Sequence, residues 1–203
     1  MSAEQQLKIA GPAGSLEALW YPEPDPAAAM VLCHPHPQMG GSMYDGVLDL
    51  LQAAARSERV SCLRFNFRGA GYSEGRHDGQ AEWQDVLAAY DSLPRSEPRM
   101  VAGYSFGGAM AVRAASELEQ LQGLVLVAPA LAMLDQVTWP ECPVLIMVGD
   151  QDPWISVEQL QDKVEGRADI QVVSGADHFF QTGGREVTRL TADFIGAEKS
   201  RWS

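Results

Sequence analysis

The stretch Met100-Val101-Ala102-Gly103-Tyr104-Ser105-Phe106-Gly107-Gly108 constrains this chain more than any other. An apolar run, Met100 to Ala102, enters Gly-x-Ser-x-Gly, and small residues at helical spacing (Ala109, Ala111, Ala114, Ala115) follow at once. A strand that becomes a helix so abruptly must reverse within about two residues, which forces the apex into a strained, positive-φ backbone. Glycines two residues before and two after the apex leave room for the chain to double back. Such a turn lifts Ser105 out of the sheet edge, with a helix N-terminus directly behind it. This is the geometry of a nucleophile elbow. In isolation Gly-x-Ser-x-Gly suits an ordinary glycine-rich loop equally well; the strand before it, the helix after it and the acid and histidine downstream select the elbow.

At 203 residues the chain reads as one domain, 1–203, long enough to bury roughly 70% of its unfolded surface. A net charge of −12 argues against a nucleic-acid partner, because phosphate binding needs clustered Lys and Arg. The acidity is read as a solvated surface. Cys33, Cys62 and Cys142 form no CxxC pair and are odd in number, which predicts reduced, buried thiols. The start, Met-Ser-Ala-Glu-Gln-Gln, lacks the basic-then-apolar pattern of a secretory signal, and no apolar run approaches a membrane span. The expectation is a cytoplasmic protein with neither membrane nor nucleic-acid partner; the oligomeric state is left open.

Along the chain, Leu7 to Tyr21 reads as two strands around the turn Gly11-Pro12-Ala13-Gly14, an antiparallel hairpin. Ala27 to Cys33 is continuously apolar, as expected of a strand buried on both faces. His34 to Ser42 reads as irregular, and Tyr44 to Arg56 carries helical spacing. Strands are predicted at Val60–Phe67, Leu124–Val127, Pro143–Val148 and Ile170–Val173, and helices at about Gln80–Leu93, Val157–Val164 and Glu186–Phe194. Alternation of this kind means parallel βαβ units with helices on both faces of a mostly parallel sheet. Between Ala128 and Pro143 there are only about a dozen residues, an ordinary loop length. No cap domain fits there, so the serine is expected in an open cleft.

A serine hydroxyl needs a base to take its proton, and the base needs a third group to hold its tautomer. In the α/β-hydrolase fold these follow in the order Ser, acid, His. Of the four histidines, His178 lies just after the last predicted strand, whereas His77 sits in a polar loop and reads as a surface or packed residue. Asp152, on the loop beyond the Pro143–Val148 strand, is the chosen acid. Asp150, nearer the strand end, reads as a turn cap, and Asp135 as a loop or helix-cap residue. The oxyanion of a tetrahedral intermediate needs two donors. One is the backbone N–H of Phe106, at the helix N-terminus. The other comes from His34-Pro35-His36-Pro37-Gln38, where the prolines have no N–H and His34, His36 and Gln38 remain; His36 falls where the fold's donor lies. Met39, Tyr72, Tyr104, Trp154 and Phe179 are candidate pocket walls. Gly69, Gly71 and Gly75 have the wrong spacing for a dinucleotide loop, and His34 and His36 lack companion ligands for zinc. Arg68 and these glycines are read as structural, shaping one wall of the cleft.

Taken together, Cys-His-Pro-His-Pro-x-x-Gly-Gly (33–41), Phe-Asn-Phe-Arg-Gly-x-Gly-x-Ser-x-Gly (65–75), Gly-Tyr-Ser-Phe-Gly-Gly (103–108), Gly-Asp-Gln-Asp (149–152) and Gly-Ala-Asp-His-Phe-Phe (175–180) closely resemble the small, lidless α/β-hydrolases of the dienelactone-hydrolase-like group. The resemblance runs from about residue 17 onward. It implies a serine esterase or acyl hydrolase with no metal or organic cofactor. Dienelactone hydrolase itself carries cysteine at the nucleophile position, so Ser105 points away from that substrate. The expected activity is hydrolysis of a small carboxylic ester through an acyl-enzyme on Ser105. A thioesterase or peptidase-like acyl hydrolase is the alternative within catalysis, and a binding module retaining the fold is the alternative outside it.

Overall fold

Continuous apolar runs place strands at the centre of a sheet, because only there are both faces covered. The computed structural model, which describes residues 4–135 and 137–202, shows this for β3 (Ala28–Cys33), β4 (Val60–Phe65), β5 (Arg99–Tyr104) and β7 (Val144–Gly149), every residue of which is buried. With β1 (Gln5–Gly11), β2 (Gly14–Tyr21), β6 (Leu121–Val127) and β8 (Asp169–Val173) they form one eight-stranded sheet in the order β1-β2-β4-β3-β5-β6-β7-β8. β1 pairs with β2, and β2 with β4, antiparallel; all later neighbours are parallel. The hairpin thus extends one edge of the parallel sheet.

The helices are α1 (Gly46–Ser57), α2 (Trp83–Asp91), α3 (Phe106–Ala115), α4 (Val157–Val164) and α5 (Gly184–Lys199). α1 packs on α5, and α2 on α3, so that the two pairs cover the sheet. Asp45 caps α1, its Oδ1 accepting the Val47 N–H at 2.9 Å, and Val47, Leu48, Leu51, Ala54 and Ala55 form the buried stripe. Among the described residues no helix is long and apolar enough to cross a membrane.

Element ends differ from the sequence expectation where hydrogen bonding extends or stops a pattern. α2 starts at Trp83 because Asp78 Oδ1 accepts the Gln80 and Ala81 N–H groups in a turn of their own. α5 runs on past Phe194 to Lys199, with Ile195 buried in the core, and the loop after β3 contains a short 3-10 turn, Pro37–Met39, where no regular structure was expected. Residues 128–143 join β6 to β7 with only a second such turn, Leu131–Met133, among those described. None of the described residues here caps the sheet's C-terminal edge.

Candidate active site

Ser105 sits at the apex between β5 and α3 with φ 52° and ψ −116°, the positive-φ conformation expected of the elbow. Gly107 lets α3 start there: a Cβ on it would run into the carbonyl oxygens of Cys33 and His34 at the end of β3. Ser105 Oγ lies 3.0 Å from His178 Nε2, and His178 Nδ1 lies 2.6 Å from Asp152 Oδ2. The Asp152 side chain is fully buried, and its Oδ1 accepts the backbone N–H groups of Trp154 (2.9 Å) and Ile155 (3.1 Å). An ionised carboxylate accepts only, so His178 Nδ1 donates and Nε2 is left free to accept from the serine. The Tyr104 hydroxyl donates to the His178 carbonyl oxygen at 3.0 Å, and the Trp154 ring packs edge-on to the imidazole at 4.6 Å.

The loops bearing Asp152 and His178 are bound to each other. Asp150 does not cap its own turn; its Oδ1 accepts the Gly175 N–H at 2.7 Å, a bond that also holds its carboxyl below the usual range. Gln151 N–H donates to the Ala176 carbonyl at 3.0 Å, and Gly149 approaches that carbonyl so closely that no Cβ fits. Asp135, read as a loop or helix-cap residue, lies in the loop between β6 and β7 and forms an ion pair with Lys163.

The loop after β3 is fixed from below. His34 is fully buried; its Nε2 accepts the Phe67 N–H at 3.0 Å, so its proton is on Nδ1, 2.6 Å from the Pro35 carbonyl. Burial lowers its pKa to about 4. His36 faces the cleft, and its ring packs on Phe106 at 5.0 Å and on His77 at 4.7 Å. Desolvation, with His77 nearby, lowers the pKa of His36. His77 is packed, with Nδ1 2.7 Å from Glu82 Oε1 and its ring 5.4 Å from that of Phe106. It therefore buttresses the two residues whose backbone N–H groups were expected to face an oxyanion.

A cleft of about 610 Å³ opens over Ser105 and His178. Of the candidate walls, Met39, Tyr104, Trp154 and Phe179 line it, together with Leu131, Ile155 and Asp45. The last three escaped the sequence reading, Asp45 because an aspartate before a helical pattern reads as a cap and nothing more. Tyr72 is a correction. It is 88% exposed and lines a separate groove along the hairpin. Loop 68–75 is sewn to β2, away from the cleft: Tyr72 N–H donates to Glu17 Oε2, Glu17 N–H to Ser73 Oγ and Glu74 N–H to the Ser15 carbonyl. Arg68 likewise forms no wall of the cleft. Its Nε and Nη2 donate to the buried Asp85 carboxylate at 3.0 and 2.6 Å, tying the loop to α2.

A mostly parallel sheet with an antiparallel hairpin, and a serine at a strained strand–helix apex uncovered by any lid, defines the α/β-hydrolase fold in its lidless form. The model of the family described as serine aminopeptidase, S33, matches residues 24–163, and the chain belongs to that family of α/β serine hydrolases. Over 96% of its length the chain is 30% identical to an α/β serine hydrolase homologue from Coxiella burnetii, covering 98% of that structure with a TM-score of 0.86. An α/β serine hydrolase without lid from Xanthomonas campestris is 29% identical, with a TM-score of 0.83 over 100% of this chain and 96% of that one. An uncharacterized protein of Rickettsia prowazekii (strain Madrid E) is 27% identical over 94% of this chain and 88% of its own length.

Proposed function

We propose that the protein hydrolyses small carboxylic esters through an acyl-enzyme on Ser105. The observation that carries this is the unbroken line from the Asp152 carboxylate through both His178 nitrogens to the Ser105 hydroxyl. In the proposed reaction His178 Nε2 takes the Oγ proton as Oγ bonds to the ester carbonyl carbon. The carbonyl π electrons move onto oxygen, where the backbone N–H groups of Phe106 and His36 hold them. Collapse expels the alcohol oxygen, which His178 protonates. Water then attacks the acyl-enzyme, giving its proton to His178, and release of the carboxylic acid returns that proton to Oγ. Asp152 stays ionised and stabilises the imidazolium. The steps balance with ester and water alone.

The test is Ser105→Ala assayed on 4-nitrophenyl acetate, where kcat is expected to fall on the order of 10⁴- to 10⁶-fold. Wild-type hydrolysis by that variant would overturn the reading. A fluorophosphonate that labels the wild type and not Ser105→Ala separates an enzyme from a binding module that retains the fold. The family's description favours a second reading, cleavage of amides. Rates on matched ester, thioester and anilide substrates decide among the leaving groups. Free Cys33, Cys62 and Cys142 support a reducing compartment, and we place the protein in the cytoplasm.

A further inference from the structure

The cleft over Ser105 is built largely from apolar side chains, with Met39, Leu131, Trp154, Ile155 and Phe179 among its walls. Among the described residues no lysine or arginine lines it. Apart from the two imidazoles, His36 and His178, the ionisable groups facing it are the Tyr104 phenol and the Asp45 carboxylate. Asp45 spends Oδ1 on the α1 cap. It lies close enough to Tyr104 for its charge to act on that phenol, the same phenol that supports His178. Asp45 is half-buried, which leaves its charge less screened than one on the open surface.

The charges behind the lining do not reverse this sign: Lys163, in the adjoining groove that shares Leu131 and Trp154 with the cleft, is paired with Asp135 and has Asp162 beside it. Asp152 is committed to His178, and Asp177 Oδ1 accepts the Phe179 N–H at 3.1 Å; both are acidic. Arg64, whose field reaches Asp45, is buried and shares its guanidinium between Asp49 (2.8 Å) and the Met43 carbonyl (3.2 Å). The molecule as a whole carries −12. A substrate group entering the cleft therefore meets apolar and aromatic surface and a negative potential. Such a site accepts an alkyl group, favours an ammonium through the carboxylate and the aromatic faces, and resists a second carboxylate.

We propose that Asp45 makes the cleft a charge filter, so that the esters hydrolysed are neutral or cationic and apolar in the part that enters it, and anionic ones are rejected. This rests on the serine-hydrolase reading above. Asp45 is a specificity residue in this scheme and takes no part in bond making.

The experiment compares kcat/KM for three 4-nitrophenyl esters of equal reach: the hexanoate, the 6-aminohexanoate and the adipate monoester. A second trio carries the same three charges on the alcohol side. Wild-type enzyme is expected to prefer neutral and cationic members over the anionic one by on the order of tenfold in at least one trio. Asp45→Asn keeps the helix cap, since asparagine caps as well as aspartate, and is expected to bring the anionic-to-neutral ratio to within about threefold of unity. Raising the salt concentration should narrow the wild-type ratio and leave that of Asp45→Asn unmoved, which a merely structural effect of the substitution would not do. If the neutral esters are cleaved but the ratio is the same in both proteins, the filter is wrong and the hydrolase reading stands. If no ester is cleaved and a fluorophosphonate does not label Ser105, both fall.

Discussion

At the scale of single residues, what distinguishes Asp152 from its neighbour Asp150 is where each carboxylate spends its lone pairs. Asp152 gives one oxygen to two backbone N–H groups and the other to His178, whereas Asp150 gives its bond to Gly175. Asp152→Asn keeps the volume but removes the charge that, in the proposed reaction, holds the imidazole tautomer and stabilises the imidazolium. Its kcat on a neutral ester should fall on the order of 10³- to 10⁴-fold with little change in thermal stability, checked by steady-state kinetics beside a melting curve. Ser105, His178 and Asp152 could be picked out in the sequence because each lies at a fixed offset from a strand end. Tyr72 could not be placed correctly, because its position is decided by bonds to Glu17 and its neighbours, far away along the chain. Asp45 gave no sign of facing the cleft, since its local role as a cap already accounts for it.

Between elements, the paired loops after β7 and β8 act as one piece that sets the distance from Asp152 to His178. Gly149 is the contact point, where the two backbones touch with no space for a methyl group. Gly149→Ala should part the loops and lengthen the Asp152–His178 bond. A displacement on the scale of 1 Å costs up to about 100-fold in rate, so kcat is expected to fall by about 10- to 100-fold while Ser105 still reacts with a fluorophosphonate. Unchanged turnover in that variant would show that the loops are positioned independently. The interior strands were legible because continuous apolar runs have no other use in a chain of this composition. Their exact ends, and the starts and stops of α2 and α5, depend on side-chain bonds such as those of Asp78 that pattern alone does not reveal.

For the whole molecule, His34 joins the loops that leave β3 and β4, and it does so only as a neutral ring. Protonating Nε2 would remove the acceptor for the Phe67 N–H. The folded pKa, about 4, lies below the ordinary value of 6.5, so between those limits the unfolded chain binds the proton and the native state does not. The stabilisation is therefore complete above pH 6.5 and is lost as pH falls towards 4, by about 3 kcal/mol in all. Urea unfolding across this window should show that slope in the wild type and a shallower one in His34→Gln. The overall topology, hairpin and parallel units included, followed from the alternation of patterns along the chain; the role of His34 as a clasp did not, because a buried and a functional histidine look alike in sequence.

The short passage of residues 128–143, with no domain folded into it, leaves Met39, Trp154 and Phe179 bare around the cleft at 78%, 56% and 55% exposure. Enzymes whose entrance must first be uncovered at an oil–water boundary show interfacial activation, a jump in rate when the ester begins to form droplets or micelles. Among the described residues nothing covers this entrance. The rate should rise smoothly with dissolved ester and level off at the solubility limit, and a sharp increase on emulsification would reveal a moving cover supplied from elsewhere.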